Sequence, residues 1–138
     1  YQAIQPDVIQ FHGSETAEWM TLVGQHIPAE RWRSFGLKDA GTLDRARPYK
    51  DACDRLLFDA PAQALPGGNG VVAQWELLEG WEPFMPWALA GGLNPDNVAE
   101  AIHRTGAPLV DASSGLETAP GVKDVGLIRA FVQAVECA

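Results

Sequence analysis

Three short stretches of this chain hold residue types that suit chemistry on an anion. Gly91-Gly92 is followed by Asn94-Pro95. A glycine pair lets backbone approach a ligand closely. Asn-Pro reads as a helix start, with Asn as N-cap and Pro at the first helical position. Amides at such a turn, aided by the positive end of a helix dipole, bind phosphate or carboxylate. Ser113-Ser114-Gly115 adds hydroxyl donors on a second glycine-containing loop. Arg55-Leu56-Leu57-Phe58-Asp59 is an apolar run that closes on a carboxylate. A carboxyl in that position is expected to be partly desolvated, which favours its protonated form and suits a general acid. Each feature also has a plain structural reading. The glycines fit an ordinary strand–helix turn, and Asp59 fits a loop cap.

These residues need rigid elements to hold them, and the chain offers an alternating series. Asp7 to Phe11 reads as a strand closed by His12-Gly13, and Ser14 as the cap of a helix carrying Trp19, Met20, Leu22 and Val23. Trp32 to Leu37 is a second, weaker strand, and Asp39 to Asp51 a polar loop leading into a broken helix. Arg55 to Asp59 is the third strand. Ala60 to Val72 is a Pro/Gly-rich loop, and Trp75 to Glu79 suits a short helix. Trp87 to Ala90 is a fourth strand, apolar enough to be buried on both faces. Its helix is expected from Asn94 to Thr105, with Gly106 ending it. Pro108 to Ala112 reads as a fifth strand, Ser113 to Glu117 as a polar loop, and Leu127, Ile128, Phe131, Val132 and Val135 as the stripe of a last helix. Alternation of this kind implies parallel strands joined by helices. Ligands in such folds bind beyond the carboxyl ends of the strands. His12, Asp59, Gly91, Gly92 and Asp111 to Gly115 all fall there. Two architectures fit, an open doubly wound sheet or part of a (β/α)8 barrel. No glycine-rich dinucleotide turn follows the first strand, which weakens the nucleotide-binding version of the open sheet.

Bulk properties narrow the partners. The chain has 138 residues and a formal net charge of −8. That length supports one domain with a real core. The acidic balance argues against nucleic acid or a membrane surface as partner. A small phosphorylated substrate is still allowed, because local amides can hold an anion against the overall field. No stretch is long and apolar enough to span a bilayer. Cys53 and Cys137 are too few for a disulfide framework, so a reducing cytoplasm is the expected location. The chain begins at Tyr1 rather than Met, which suggests a piece of a longer polypeptide. Its oligomeric state is left open. His26 and His103 lack partner spacing and read as surface residues, and Trp75 and Trp87 read as packing.

Four stretches, in order, resemble the phosphoribosylanthranilate isomerase family. Val8-Ile9-Gln10-Phe11-His12-Gly13-Ser14-Glu15 resembles the family's fourth strand. Leu56-Leu57-Phe58-Asp59, then Pro66-Gly67-Gly68-Asn69-Gly70 and Trp75, resembles the sixth strand and its long loop. Leu89-Ala90-Gly91-Gly92-Leu93-Asn94-Pro95-Asp96-Asn97-Val98 resembles the seventh, and Val110-Asp111-Ala112-Ser113-Ser114-Gly115-Leu116-Glu117 with Pro120-Gly121-Val122-Lys123-Asp124 the eighth. The resemblance covers essentially the whole chain. It implies an α/β fold, a parallel (β/α)8 TIM barrel of which residues 1–138 form one domain covering about strands 4 to 8. Strands 1 to 3 would lie outside this sequence, together with the family's catalytic cysteine and an arginine that meets the anthranilate carboxylate.

The implied reaction is the Amadori rearrangement of N-(5-phosphoribosyl)anthranilate in tryptophan biosynthesis. An acid protonates the ribose ring oxygen, a Schiff base forms, and a base removes the C2′ proton. The enolamine then tautomerises to the deoxyribulose product. No metal or cofactor is implied, because the substrate nitrogen serves as electron sink. By the resemblance Asp59 is the general acid, and Gly91, Gly92, Ser113, Ser114 and Gly115 bind the phosphate. Asp111 meets a ribose hydroxyl or is satisfied by backbone. His12 lines the site or is structural. Two other readings compete. One is a non-catalytic phosphate-binding half-barrel or assembly module without the base. The other is indole-glycerol-phosphate synthase, which wants a strand-end lysine, for which Lys38 is the nearest candidate. A barrel cut after strand three exposes two unpaired edges and an apolar interior. The 138-residue chain alone is therefore expected to self-associate. Light scattering on the isolated chain checks this, and a monodisperse, cooperatively melting monomer would overturn it.

Overall fold

The computed structural model describes residues 1–60 and 75–138. Its elements are β1 (Val8–Phe11), α1 (Ala17–His26), β2 (Glu30–Gly36), α2 (Gly41–Ala46), β3 (Arg55–Asp59), β4 (Trp87–Ala90), α3 (Val98–Thr105), β5 (Glu117–Ala119), β6 (Val122–Lys123) and α4 (Val125–Glu136). Short 3-10 turns stand at Arg47–Tyr49, Trp75–Leu77 and Ser114–Leu116. β1 to β4 form one parallel sheet whose spatial order follows the chain without reversal. The fold is thus α/β with a parallel sheet, and β3 and β4 occupy the expected residues. The glycine loop at 66–70 lies outside the described residues.

The apolar runs explain the central strands. Trp87–Ala90 is buried along its whole length, and Leu56, Leu57 and Phe58 are buried likewise. Alternation divides them between two faces. Leu56, Phe58, Trp87 and Leu89 join the main core with Met20, Leu78, Val98 and Ala101. Leu57, Ala88 and Ala90 form a separate small cluster on the other face. Ser34 sits on that second face, in register with Leu57, and its hydroxyl is buried without a partner. Val8 and Leu109, which share the face by register, are 38% and 37% exposed.

At the base of the sheet, away from the strand ends that carry Asp59 and Gly91, Arg31 and Asp54 lock β2 to the entry of β3. Arg31 Nε donates to Asp54 Oδ2 at 3.1 Å, Nη2 to Oδ1 at 3.3 Å and the Arg31 amide to Oδ2 at 2.8 Å. Burial would raise the Asp54 carboxyl, but the Arg31 side chain and amide outweigh it and hold it below its usual value.

Several boundaries differ from the sequence reading, including β2, which runs Glu30–Gly36 rather than Trp32 to Leu37. α1 is capped by Thr16, whose hydroxyl accepts from Trp19 N at 3.2 Å, and not by Ser14. The preceding turn is closed by Glu15, whose carboxylate accepts from Gly13 N at 2.9 Å. α3 begins at Val98 rather than Asn94, for reasons given below, and ends at Gly106 in the left-handed conformation (φ 67°). The expected fifth strand is reduced to one parallel bridge, Leu89 to Val110. Leu89 N donates to Leu109 O at 2.9 Å and Asp111 N to Leu89 O at 2.8 Å. Leu109 and Asp111 are thus the residues whose backbone faces β4, on either side of Val110. The polar stretch after Ser114 is an antiparallel hairpin, β5–β6, with Glu117 opposite Lys123.

Phe58 is fully buried and sits between Phe35, Trp81 and Trp87, at 6.3, 5.3 and 6.1 Å between ring centroids. Phe58→Ala is expected to lower the unfolding free energy by about 3–5 kcal/mol. Urea denaturation measures it, and a loss near zero would mean this aromatic cluster does not hold the sheet to the helices.

Candidate active site

Parallel pairing aligns the carboxyl ends of the strands. Gly36 pairs with Asp59, and Asp59 with Ala90. Leu37 N donates to Asp59 O at 2.8 Å, and Ala60 N to Ala90 O at 2.9 Å. At this end lies a cavity of about 280 Å³ lined by His12, Asp59, Gly91, Gly92, Asp111, Ser113 and Ser114, together with Gln10, Leu57, Ala90, Leu93 and Ala112. Seven of the eight residues singled out from the sequence are therefore brought together. Gly115, the eighth, stands behind them. A Cβ there would meet Leu93 O and would lie 2.9 Å from the Asn94 Cβ.

Two glycines make this packing possible. Gly91 has φ 95°, and Gly92 has φ 62°, both in the left-handed region. A Cβ on Gly91 would strike Asp59 Oδ1 and would lie 2.6 Å from the Ala60 carbonyl carbon. The turn after β4 is thus pressed against the end of β3, with the Asp59 carboxylate directly over it. The loop after Val110 is pressed in turn against Leu93-Asn94 through Gly115.

The turn after Gly91-Gly92 differs from the expected one. Asn94 is not a helix N-cap. Its side-chain oxygen accepts from Asp96 N at 2.9 Å and Asn97 N at 3.1 Å, while Asn97 Oδ1 accepts from Asn94 N at 2.9 Å. Asn97 Nδ2 also donates to Gly92 O at 3.0 Å. Those amides are satisfied inside the turn, which delays the helix to Val98 and removes them as ligands. Among the described residues, the amides of Gly92, Ser113 and Ser114 donate to no protein acceptor. The donor groups carried by the cavity's lining are therefore loop amides and serine hydroxyls rather than a helix terminus.

The remaining candidates divide by environment. Asp59 is exposed. His12 and Asp111 are exposed as well, and the Asp111 backbone is tied to Leu89. Cys53 is buried in the main core beside the entry of β3, at the opposite end of that strand from Asp59. Burial, followed by the neighbouring Asp54 charge, pushes its thiol up to about 11. It is no thiolate base. Cys137 is exposed at the end of α4. Among the described residues no cluster of His, Cys, Asp or Glu could hold a metal ion, and no helix is long and apolar enough to cross a membrane. His26 and His103 are exposed, and Trp75 and Trp87 are core residues.

One buried residue near the site escaped the sequence reading. Arg33, 7% exposed, lies under the loop that carries His12. Its Nη1 donates to Phe11 O at 3.1 Å and its Nη2 to Gly13 O at 2.9 Å. The guanidinium also packs on the Phe35 and Tyr49 rings. The available signal is a cation inside an otherwise strand-like run, Trp32 to Phe35, at the position that pairs with Phe11.

Residues 1–134 match the family model described as N-(5'phosphoribosyl)anthranilate (PRA) isomerase. The chain belongs to this family. It is 56% identical over 133 residues to the N-(5'-phosphoribosyl)anthranilate isomerase of Erythrobacter litoralis (strain HTCC2594), a match covering 96% of this chain and 64% of that protein. The crystal structure of phosphoribosyl anthranilate isomerase from Thermotoga maritima matches with a TM-score of 0.80 and 28% identity, covering 96% of this chain and 62% of that one. A further isomerase structure, in complex with reduced 1-(o-carboxyphenylamino)-1-deoxyribulose 5-phosphate, matches with a TM-score of 0.78 and 26% identity, over 96% of this chain and 60% of that one. The chain therefore spans somewhat under two thirds of the length of these relatives.

The family membership leaves the role of Gly91 to be tested in this chain. Gly91→Ala is expected to displace Asp59 and the β3 end, lowering the unfolding free energy by about 1–3 kcal/mol, the usual scale for enforced left-handed backbone with a steric clash. Thermal melting checks this, and an unchanged midpoint would mean the two strand ends are not locked together.

Proposed function

We propose that this chain supplies strands 4 to 8 of a (β/α)8 barrel, as one domain of a phosphoribosylanthranilate isomerase acting in the cytoplasm. The observation that carries the reading is the single cavity that unites Asp59 with Gly91-Gly92 and Ser113-Ser114, within a chain matched by the isomerase family over residues 1–134. The barrel is supported by strand order. Doubly wound sheets reverse their order at a switch point, whereas β1 to β4 and the Val110 bridge advance by one neighbour each time. The partly polar second face, with Ser34, Leu57 and Ala88, suits the layered interior of a barrel.

In this reading the loop amides of Gly92, Ser113 and Ser114 and the two serine hydroxyls take the phosphate. Phosphate sites in such barrels are built from the loops after the last two strands. Asp59 lies across Gly91 from the cradle and donates its proton to the ribose ring oxygen. The C1′–O bond breaks as the anthranilate nitrogen lone pair forms the iminium. Removal of the C2′ proton returns that electron pair to nitrogen as the enolamine, which tautomerises to the ketone. The substrate itself covers Asp59 when bound, supplying the desolvation that favours a protonated carboxyl. Asp111 is placed to take a ribose hydroxyl, and His12 lines the opposite wall. The base lies outside the residues described, since neither Cys53 nor Cys137 reaches the cavity.

Asp59→Asn in the full-length protein should lower kcat by about 10²- to 10⁴-fold while changing KM little. Steady-state turnover of phosphoribosylanthranilate measures it. A variant as active as the parent would remove Asp59 as the acid. A parent that binds phosphate yet turns over no substrate would favour the non-catalytic half-barrel instead.

A further inference from the structure

The cavity poses an electrostatic problem. Its carboxylates are Asp59 and Asp111, no lysine or arginine lines it, and the chain as a whole carries a formal charge of −8. A phosphate dianion entering there meets like charge and needs strong donors. Lys123 lies just outside, on β6. Its Nζ donates to Ser113 O at 2.9 Å, to Ser113 Oγ at 3.0 Å and to Glu117 Oε1 at 2.5 Å.

An ammonium has three donors and no acceptor. All three Lys123 donors are occupied, so the side chain does not reach into the cavity. Ser113 Oγ must be the acceptor of its bond with Nζ. Its own O–H is then excluded from the lysine and left to donate elsewhere, while the adjacent positive charge strengthens it as a donor. An anion site requires a hydroxyl held in that sense. The hairpin provides the geometry, because β5–β6 pairing sets Glu117 opposite Lys123. Glu117 in turn anchors the tip by accepting from Gly121 N at 3.0 Å.

We propose that Lys123 is a positioning residue for phosphate binding, which acts through Ser113 by fixing its hydroxyl as a donor into the cavity and by adding positive charge behind it. The proposal deepens the isomerase reading and rests on the cavity being a phosphate site. Glu117 completes the device. The Lys123 ammonium, then the Gly121 amide, hold its carboxyl below the ordinary glutamate value. A depressed folded-state value means that the Glu117 anchor is fully present above the ordinary carboxylate range and lost as pH falls through the depressed value.

The test uses the full-length protein with inorganic phosphate as probe, measured by calorimetry, alongside KM and kcat for the phosphorylated substrate. Lys123→Met should raise the phosphate Kd and KM about tenfold and move kcat less than about threefold. Lys123→Arg should restore most of the loss. Ser113→Ala should weaken phosphate binding by itself, and Lys123→Met should add little in that background, since the lysine acts through the serine. If Ser113→Ala weakens binding while Lys123→Met does not, or if the two losses add, the proposal is overturned and the phosphate site stands. If the parent protein binds no phosphate, the reading of the cavity itself fails. Should Lys123→Met not fold, Lys123→Gln carries the same expectation, because it drops the charge and its amide oxygen can draw the Ser113 O–H away from the cavity.

Discussion

Close backbone approach at the carboxyl ends of β3 and β4 is the constraint on which the rest of the structure depends. Parallel register already sets Asp59 beside Ala90. Gly91 then lets the chain turn at φ 95° with its backbone against Asp59 and Ala60. Gly115 repeats the device one loop further on, against Leu93 and Asn94. Three segments far apart in sequence are thereby stacked with almost no intervening side chain. The close approach at these turns is possible because those side chains are missing.

The two faces of the sheet have different tasks. Leu56, Phe58, Trp87 and Leu89 join the main core with Met20, Val98 and Ala101 of the helices. The opposite face carries the smaller Leu57, Ala88 and Ala90 with the unpartnered Ser34 hydroxyl. Rigidity comes from the first face, which lets the second face and the strand ends hold polar groups. The polar clamps follow the same division. Arg31 and Asp54 tie the bottom of the sheet, whereas Arg33 braces the loop carrying His12 at the top.

Charge is managed locally. An acidic chain with two carboxylates in its cavity is an unlikely anion receptor by net charge alone. In the proposed phosphate site, amides and hydroxyls resolve the conflict because they carry oriented dipoles without adding counter-charge inside the cavity. Lys123 is spent on Ser113 and Glu117, so in the proposed phosphate site it acts from behind.

Local sequence by itself determined the elements whose signals are local. The apolar runs at Arg55–Asp59 and Trp87–Ala90 marked β3 and β4 to the residue, because strands buried on both faces need no periodicity to be seen. The Gly91-Gly92 and Ser113-Ser114 stretches marked residues that line one cavity, because turns beyond parallel strand ends converge on the same side of the sheet. Residue identity alone did not decide hydrogen-bond partners. Asn94-Pro95 carries every sign of a helix start, yet its side chain closes a turn with Asn97 and postpones α3 to Val98. Ser14 and Thr16 both suit a cap, and Glu15 settled the choice by closing the Gly13 turn. The Pro108–Ala112 strand shrank to the single Leu89–Val110 bridge, because pairing depends on a partner backbone that local residue types do not reveal. The parts played by Arg33 and Lys123 came only from tertiary structure. A long charged side chain reveals its acceptors only once distant carbonyls and hydroxyls have been folded to within about 3 Å of it.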